Sequence, residues 1–410
     1  MSQTDNSNGA RPLAGIRVLA VENFIAGPFA SMWLADAGAE VVKIESRDGG
    51  DMSRQTSPRR EDAQGQLHGM SFLRSNRSKK SVTLDLKHED GKRIFKDLIT
   101  KADIFIENLR PGAMDKLGLG WEVLRQINPR LIYLAISGFG HGDVQRSPFT
   151  DRPAFDVMAQ ALSGLMNRPE RSGDKPVYLG FSLSDIEGGM VAAYGAMLAL
   201  FQRQITGQGK KVDISLYDAS LALNELSVIM YSVARQRAPP GVHALSAPFG
   251  AYRAADGYIV IAVLGEHIWK RFCETMDRAD LLDDERFKDG VLRQQNLAAL
   301  DACIDQWLST RSREKAVEML LTNSVPASVV NDIDDIFDCP HVAARHMIVP
   351  VQNAAWGTVQ VAGNPVKMSG VPEIEPGDPP DLGQHTAQVL ADWLGAAQEQ
   401  IADWKSRNIT

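Results

Sequence analysis

The sequence predicts an α/β protein, with a large Rossmann-like domain on a parallel sheet and a smaller α+β domain. Three observations carry this expectation. Short runs rich in Val, Ile and Leu recur between residues 16 and 215, each bounded by turn residues, as strands buried on both faces do. Stretches of helical spacing separate these runs, long enough for crossovers between parallel strands. The chain has 410 residues, 44% hydrophobic and 23% charged. That is ordinary globular usage and too long for one core, giving two or three units at roughly 150 residues each.

Taken in order, residues 16–21 (IRVLAV) form the first strand. A small-residue helix follows over 28–37; Pro28 suits its first turn because it lacks an N–H that would go unused there. Gly38 stops this helix, and 40–45 (EVVKIE) is the second strand. Strands are expected over 81–86, 103–107 and 131–136, and helices over 91–102 and 121–127. In the first of those helices Ile94, Phe95, Leu98 and Ile99 share one side. A long helix is expected over 185–204, closed by Thr206-Gly207-Gln208-Gly209. A strand over 211–215 and a helix over 216–233 come next. Composition shifts at 237–250, where prolines stand at 239, 240 and 248, and a boundary belongs there. Beyond it lie a hairpin over 252–263 turning at Asp256-Gly257, a helical block over 266–321, and a second hairpin over 347–361 turning at Trp356-Gly357. A proline-rich excursion over 370–383 and a terminal helix over 390–404 complete the chain.

Composition narrows the function. Forty-four basic residues against 51 acidic give a net charge of −7, the wrong sign for binding that rests on phosphate neutralisation, so no nucleic-acid partner is expected. Cys273, Cys303 and Cys339 form no C-x-x-C pair, which predicts no disulfide frame, no zinc site and a reducing cytoplasm. The N-terminal stretch MSQTDNSNGARPLAG has no apolar core, and the longest nearly apolar run, 188–201, is too short for a bilayer. Neither export nor membrane insertion is expected. No metal spacing stands out among the histidines, and no G-x-S-x-G is present. After the first strand the chain reads Glu22-Asn23-Phe24-Ile25-Ala26-Gly27-Pro28, without the glycines of a dinucleotide fingerprint, so an NAD site is not expected.

Two features could carry chemistry. Arg74, Arg77, Lys79 and Lys80 form a basic run, readable as a solvated face or as a cradle for cofactor phosphates. Asp185 opens the long apolar helix, readable as an N-cap or as a nucleophile. Helix-end amides would stabilise its carboxylate, Gly188 and Gly189 would leave room for a ligand, and an unpaired Asp would stay ionised near the reference pKa of about 3.9.

The ordered motifs resemble the class III CoA-transferases, the family of formyl-CoA and carnitine CoA-transferases that also contains α-methylacyl-CoA racemase. The matching segments are Pro12–Leu19 with Ala26-Gly27-Pro28-Phe29-Ala30, Asp36–Glu45, Asn76–Leu86, Glu107-Asn108-Leu109-Arg110-Pro111-Gly112 and Ile136–Gly140. Asp156, Gln160–Met166, Thr206–Gly209, Gly363–Lys367 and Gly383-Gln384-His385-Thr386 follow in family order, covering about residues 12–395. The resemblance implies a large CoA-binding domain over 1–225 completed by 331–410, a small domain over 226–330, and a homodimer of two chains interlocked like links. It implies CoA transfer from an acyl-CoA to a carboxylic acid, with no tightly bound cofactor and no metal. Asp185 would be the nucleophile, passing through an aspartyl anhydride and an aspartyl-CoA thioester.

Carried over by position, CoA contacts would come from Asn23, Phe24, Ile25, Ala26, Arg47, Leu84, Lys87, Asn108, Leu109, Lys116 and Leu117, and substrate contacts from Ser137 and His141. The chain departs from the formyl-CoA branch: Ile25 replaces its acceptor-site glutamine, Ser137 replaces a lysine, and no glycine-rich flap is recognisable near 237–250. The racemase branch pairs its aspartate with a histidine, and Phe155 stands at that place, although His141 is near in sequence. A racemase-type enzyme and a CoA-binding protein without turnover are the alternatives.

Overall fold

The computed structural model describes residues 11–167, 175–237, 246–373 and 375–410. They divide into two compact units. The first takes residues 11–166, Tyr178–Asn224 and His341–Thr410; the second takes Glu225–Pro340 and the described part of 167–177.

The first unit is built on a six-stranded parallel sheet of Arg17–Val21, Glu40–Glu45, Lys79–Thr83, Ile104–Glu107, Ile132–Ser137 and Lys211–Ser215. Numbered along the chain, these strands lie in the order 3-2-1-4-5-6, the order of doubly wound sheets. Alternate side chains feed two cores. Leu19, Val42, Val82, Phe105 and Tyr133 pack on one face with the helix Glu89–Ile99 and with Val389, Leu390 and Trp393. Val18, Ala20, Val41, Ile104, Ile106 and Leu134 pack on the other with the helices Ala26–Asp36 and Leu183–Thr206. The period of two puts one set on each face, and covering helices keep both sets dry.

The helix Leu183–Thr206 approaches its neighbours closely because its inner face is small. A Cβ on Gly189 would stand 2.9 Å from the Ala26 carbonyl oxygen, and one on Gly188 would stand 2.4 Å from Leu216 Cδ2. These glycines serve packing, not the room for a ligand that the sequence suggested.

The second unit carries a three-stranded antiparallel sheet in the order Ala327–Val329, Gly257–Ala262, Phe249–Ala254. Helices including Glu266–Thr275, Leu297–Leu308 and Arg313–Thr322 cover it around Ile259, Trp269, Phe272, Phe287 and Leu300. The expected hairpins form as Phe249–Ala254 with Gly257–Ala262 and, in the first unit, Ile348–Asn353 with Gly357–Ala362. The helix expected over 216–233 is two, Leu216–Leu223 and Glu225–Ala234, and the terminal one is also two, Thr386–Leu394 and Gln398–Ser406. Among the described residues no helix is long and apolar enough to cross a membrane.

Candidate active site

In a sheet of order 3-2-1-4-5-6 the direction of winding reverses between strands 1 and 4, and the loops leaving their carboxyl ends part to form a crevice. Here those loops begin at Glu22-Asn23 and Asn108-Leu109, and two asparagines clamp them together. The Asn23 amide donates to Asn108 Oδ1 at 2.8 Å, and Asn108 Nδ2 donates to the Asn23 carbonyl at 2.8 Å. Two cavities of about 320 Å³ open at this point and share Asn23. One is lined by Phe24, Ile25, Ala26, Asn108, Leu109, Ser137, Phe155 and Asp185, among others. The other takes in Arg47, Leu84, Lys87 and Leu117 beside carboxylates such as Asp48 and Asp85.

The structure therefore gathers most of the residues named from the sequence. Lys116 and His141 are the exceptions. Lys116 is exposed and lines neither cavity. His141 also lines neither cavity; its Nε2 is 3.5 Å from Glu107 Oε1 and its amide is held by the Asp213 carboxylate at 3.0 Å. Burial pushes the Glu107 carboxyl up to about 8 and the His141 imidazole down to about 4, so near neutrality the carboxyl keeps its proton and the ring is uncharged. Glu107 Oε2 accepts from the Leu109 amide at 2.8 Å and so fixes the second loop.

A buried charge network holds the first loop. Lys79 Nζ donates at 2.9 Å to Glu22 Oε1, to the Pro28 carbonyl and to Asn76 Oδ1. Lys43 pairs with Asp51 at 2.8 Å, and Asp51 Oδ1 accepts from the Phe24 amide at 3.1 Å. The side chains of Lys43, Lys79, Glu22 and Asp51 are buried; Lys79 is pushed down to about 8 by burial, while Lys79 and Lys43 hold Glu22 low against its own burial. The loop residue Phe24 is thereby kept at φ 60°, in the left-handed region that a bulky side chain adopts only under constraint.

This network corrects both readings of the basic run. Lys79 belongs to the quartet, Arg77 pairs with Asp36 at 2.6 Å, and Lys80 pairs with Glu40 at 2.7 Å. Arg77 and Lys79 are buried framework, neither a solvated face nor a phosphate cradle, and Lys80 is a half-buried partner of Glu40. Arg74 alone is exposed, and its charge acts on Asp185.

Asp185 is not the N-cap. The helix begins at Leu183 after Ser182, whose side chain makes no cap, so Asp185 stands at the third helical position. The amides at the helix start are taken by another carboxylate, Asp156, which opens the helix Asp156–Leu162: its Oδ1 accepts from Ser184 at 2.7 Å and from Asp185 at 3.3 Å. The helix-end amides assigned to Asp185 from the sequence therefore serve Asp156. Burial, then the charge of Asp156, pushes the Asp185 carboxyl up to about 7, while Arg74 pulls it down. The expectation of an ordinary low pKa was wrong because burial and a like charge outweigh one exposed cation. No hydrogen bond to the Asp185 carboxylate is found among the described residues, and no group of three or more His, Cys, Asp or Glu could hold a metal.

Sequence reasoning named Asp156 only as part of a motif. Its four-residue spacing to Gln160, whose Nε2 donates to it at 2.7 Å, was the available signal of a short helix there.

Comparison with known proteins agrees with this architecture. The chain is 36% identical to the succinyl-CoA:mesaconate CoA-transferase of Haloarcula hispanica, covering 92% of this chain and 95% of that one. It is 34% identical to the acetyl-CoA:oxalate CoA-transferase of Acetobacter aceti, with 92% and 95% covered. It is 30% identical to the succinyl-CoA:glutarate CoA-transferase of Homo sapiens, with 98% and 90% covered. A crystal structure of a CaiB/BaiF family protein from Brucella suis superposes with a TM-score of 0.82 at 30% identity, over 94% of this chain and all of that one. Residues 13–386 match CoA-transferase family III, and the chain belongs to that family.

Proposed function

We propose that the protein moves CoA from an acyl-CoA thioester to a carboxylic acid, with Asp185 as the nucleophile. The observation that carries this reading is a carboxylate lining the cavity at the winding reversal of the sheet, with no hydrogen-bond donor found for it among the described residues. A carboxylate without such a donor keeps its lone pairs available for attack. It attacks the thioester carbonyl, the C–S bond breaks, CoA thiolate leaves, and a mixed anhydride remains on Asp185. The thiolate returns to the Asp185 carbonyl and releases the donor acid, giving an aspartyl-CoA thioester. The acceptor carboxylate displaces the thiolate to form a second anhydride. The thiolate then takes the acceptor acyl group and regenerates the Asp185 carboxylate.

The cavity sharing Asn23 suits the remainder of CoA, with Leu84 and Leu117 as apolar walls and Arg47 and Lys87 as cations. The substrates of these relatives, succinyl-CoA with mesaconate or glutarate and acetyl-CoA with oxalate, support acyl-CoA and carboxylic acids as the substrate pair. Phe155, 65% exposed and lining the cavity, supplies no second base for racemisation, and His141 turns to Glu107 instead. Product masses from a panel of acyl-CoA donors and carboxylic acids test transfer; CoA that never changes acid would leave a binding protein.

The same reading includes an interlocked homodimer. Tyr194, Leu198, Phe201 and Ile205 stand exposed along the helix Leu183–Thr206, an apolar stripe that a second copy would cover. Interlocked chains do not separate without unfolding, so sedimentation should find dimer and no folded monomer at nanomolar concentration. The three free cysteines suit the cytoplasm.

A further inference from the structure

We propose that Asp156 is a positioning residue for Asp185: from its own helix it holds the amides that open the Asp185 helix, and its charge favours the uncharged, acylated forms of Asp185 over the free carboxylate. The inference rests on Asp185 being the nucleophile. Asp156 is 7% exposed, and its carboxylate is surrounded by donors: the Ser184 and Asp185 amides, Gln160 Nε2 at 2.7 Å and the Tyr178 hydroxyl at 3.4 Å. Those bonds fix it next to the backbone of the reacting residue.

The consequence follows from the charges of the intermediates. In the anhydride and in the aspartyl-CoA thioester the Asp185 carboxyl is neutral. Repulsion from Asp156 acts only on the free carboxylate, so it raises the starting state and leaves the covalent states untouched. A carboxylate of raised basicity is also the better nucleophile. Other charged or titratable groups near Asp185 include Arg74, which opposes Asp156, the Tyr178 phenol, Arg110 and Arg152 in the cavity lining, and Glu187 on the same helix, whose carboxyl burial pushes up to about 7. Asp156 thus consumes the helix-end stabilisation that would otherwise quiet the nucleophile.

The test follows two readouts against pH: transfer kcat/KM, and the rate at which acyl-CoA alone forms a hydroxylamine-sensitive adduct on Asp185. Asp156→Asn, matched in shape, should lower the acid limb by about one pH unit and slow adduct formation above that limb by about tenfold. Asp156→Glu should restore the limb. Arg74→Gln, at an exposed position, should move the limb upward, and it keeps the proposal testable if the Asp156 variants fold poorly. Wild-type labelling at Asp185 with an acid limb unmoved by Asp156→Asn, or unmoved by Arg74→Gln, would overturn the proposal alone. No label at Asp185 in the wild type would overturn the nucleophile reading and this inference with it.

Discussion

Replacing Asp185 with Asn should stabilise the protein at pH 8 while abolishing transfer. The Asp185 carboxyl is pushed from its ordinary value of 3.8 up to about 7 by burial and by Asp156. The folded protein then holds this proton to higher pH than the unfolded chain. Between about pH 4 and pH 7 the native state binds more protons, so this group makes stability fall as pH rises. Three pH units at about 1.4 kcal/mol each set a ceiling of about 4 kcal/mol. The side chain is only half-buried, and solvent relaxation reduces the expected gain to about 1–3 kcal/mol. Asn has the size of the protonated acid and no charge, so the gap should be complete at pH 8 and shrink steadily toward pH 5. Urea unfolding of both proteins across that range measures it. An Asn variant no more stable than wild type at pH 8, or a gap independent of pH, would refute the electrostatic account of this site.

Other substitutions test the frame around it. Lys79→Met should cost about 3–5 kcal/mol in urea unfolding, because it takes the closer of two cations from the buried Glu22 and leaves Lys43 at 3.4 Å; a loss below about 1 kcal/mol would return Lys79 to the surface-charge reading. Asn108→Ala removes both 2.8 Å bonds of the loop clamp; at about 0.5–1.5 kcal/mol each it should raise the KM for acyl-CoA about tenfold, and an unchanged KM would sink the clamp's role. Wild-type kcat/KM should fall below about pH 7 as Asp185 takes up its proton; a flat profile down to pH 5 would contradict the shift.

Much of the frame was legible because local patterns and tertiary packing agreed. The strands ending at Val21 and Glu107 are short, mostly apolar runs, as strands covered on both faces are, and in the strand ending at Glu45 a single Lys43 breaks the run. The hairpin around Asp256-Gly257 followed from turn chemistry. What stayed hidden depends on partners far away in sequence. Lys79 reads as a surface cation until Glu22, 57 residues earlier, is placed against it. Asp185 reads as a cap until Asp156, 29 residues before it, takes the amides. Burial and the proximity of Asp156 then set the ionisation of Asp185, and neither is written in the residues beside it. Gly188 and Gly189 looked like space for a ligand because the sequence cannot show Leu216 and Ala26 occupying it.

Everything proposed for this site requires Asp185 to become covalently acylated. Incubating the wild-type protein with acyl-CoA alone, quenching with hydroxylamine and mapping peptide masses tests it directly. A hydroxamate on Asp185, absent from the Asp185→Asn variant whose transfer rate has fallen by several orders of magnitude, is the predicted result. A hydroxamate on another residue, or an Asn variant with wild-type transfer, would contradict it.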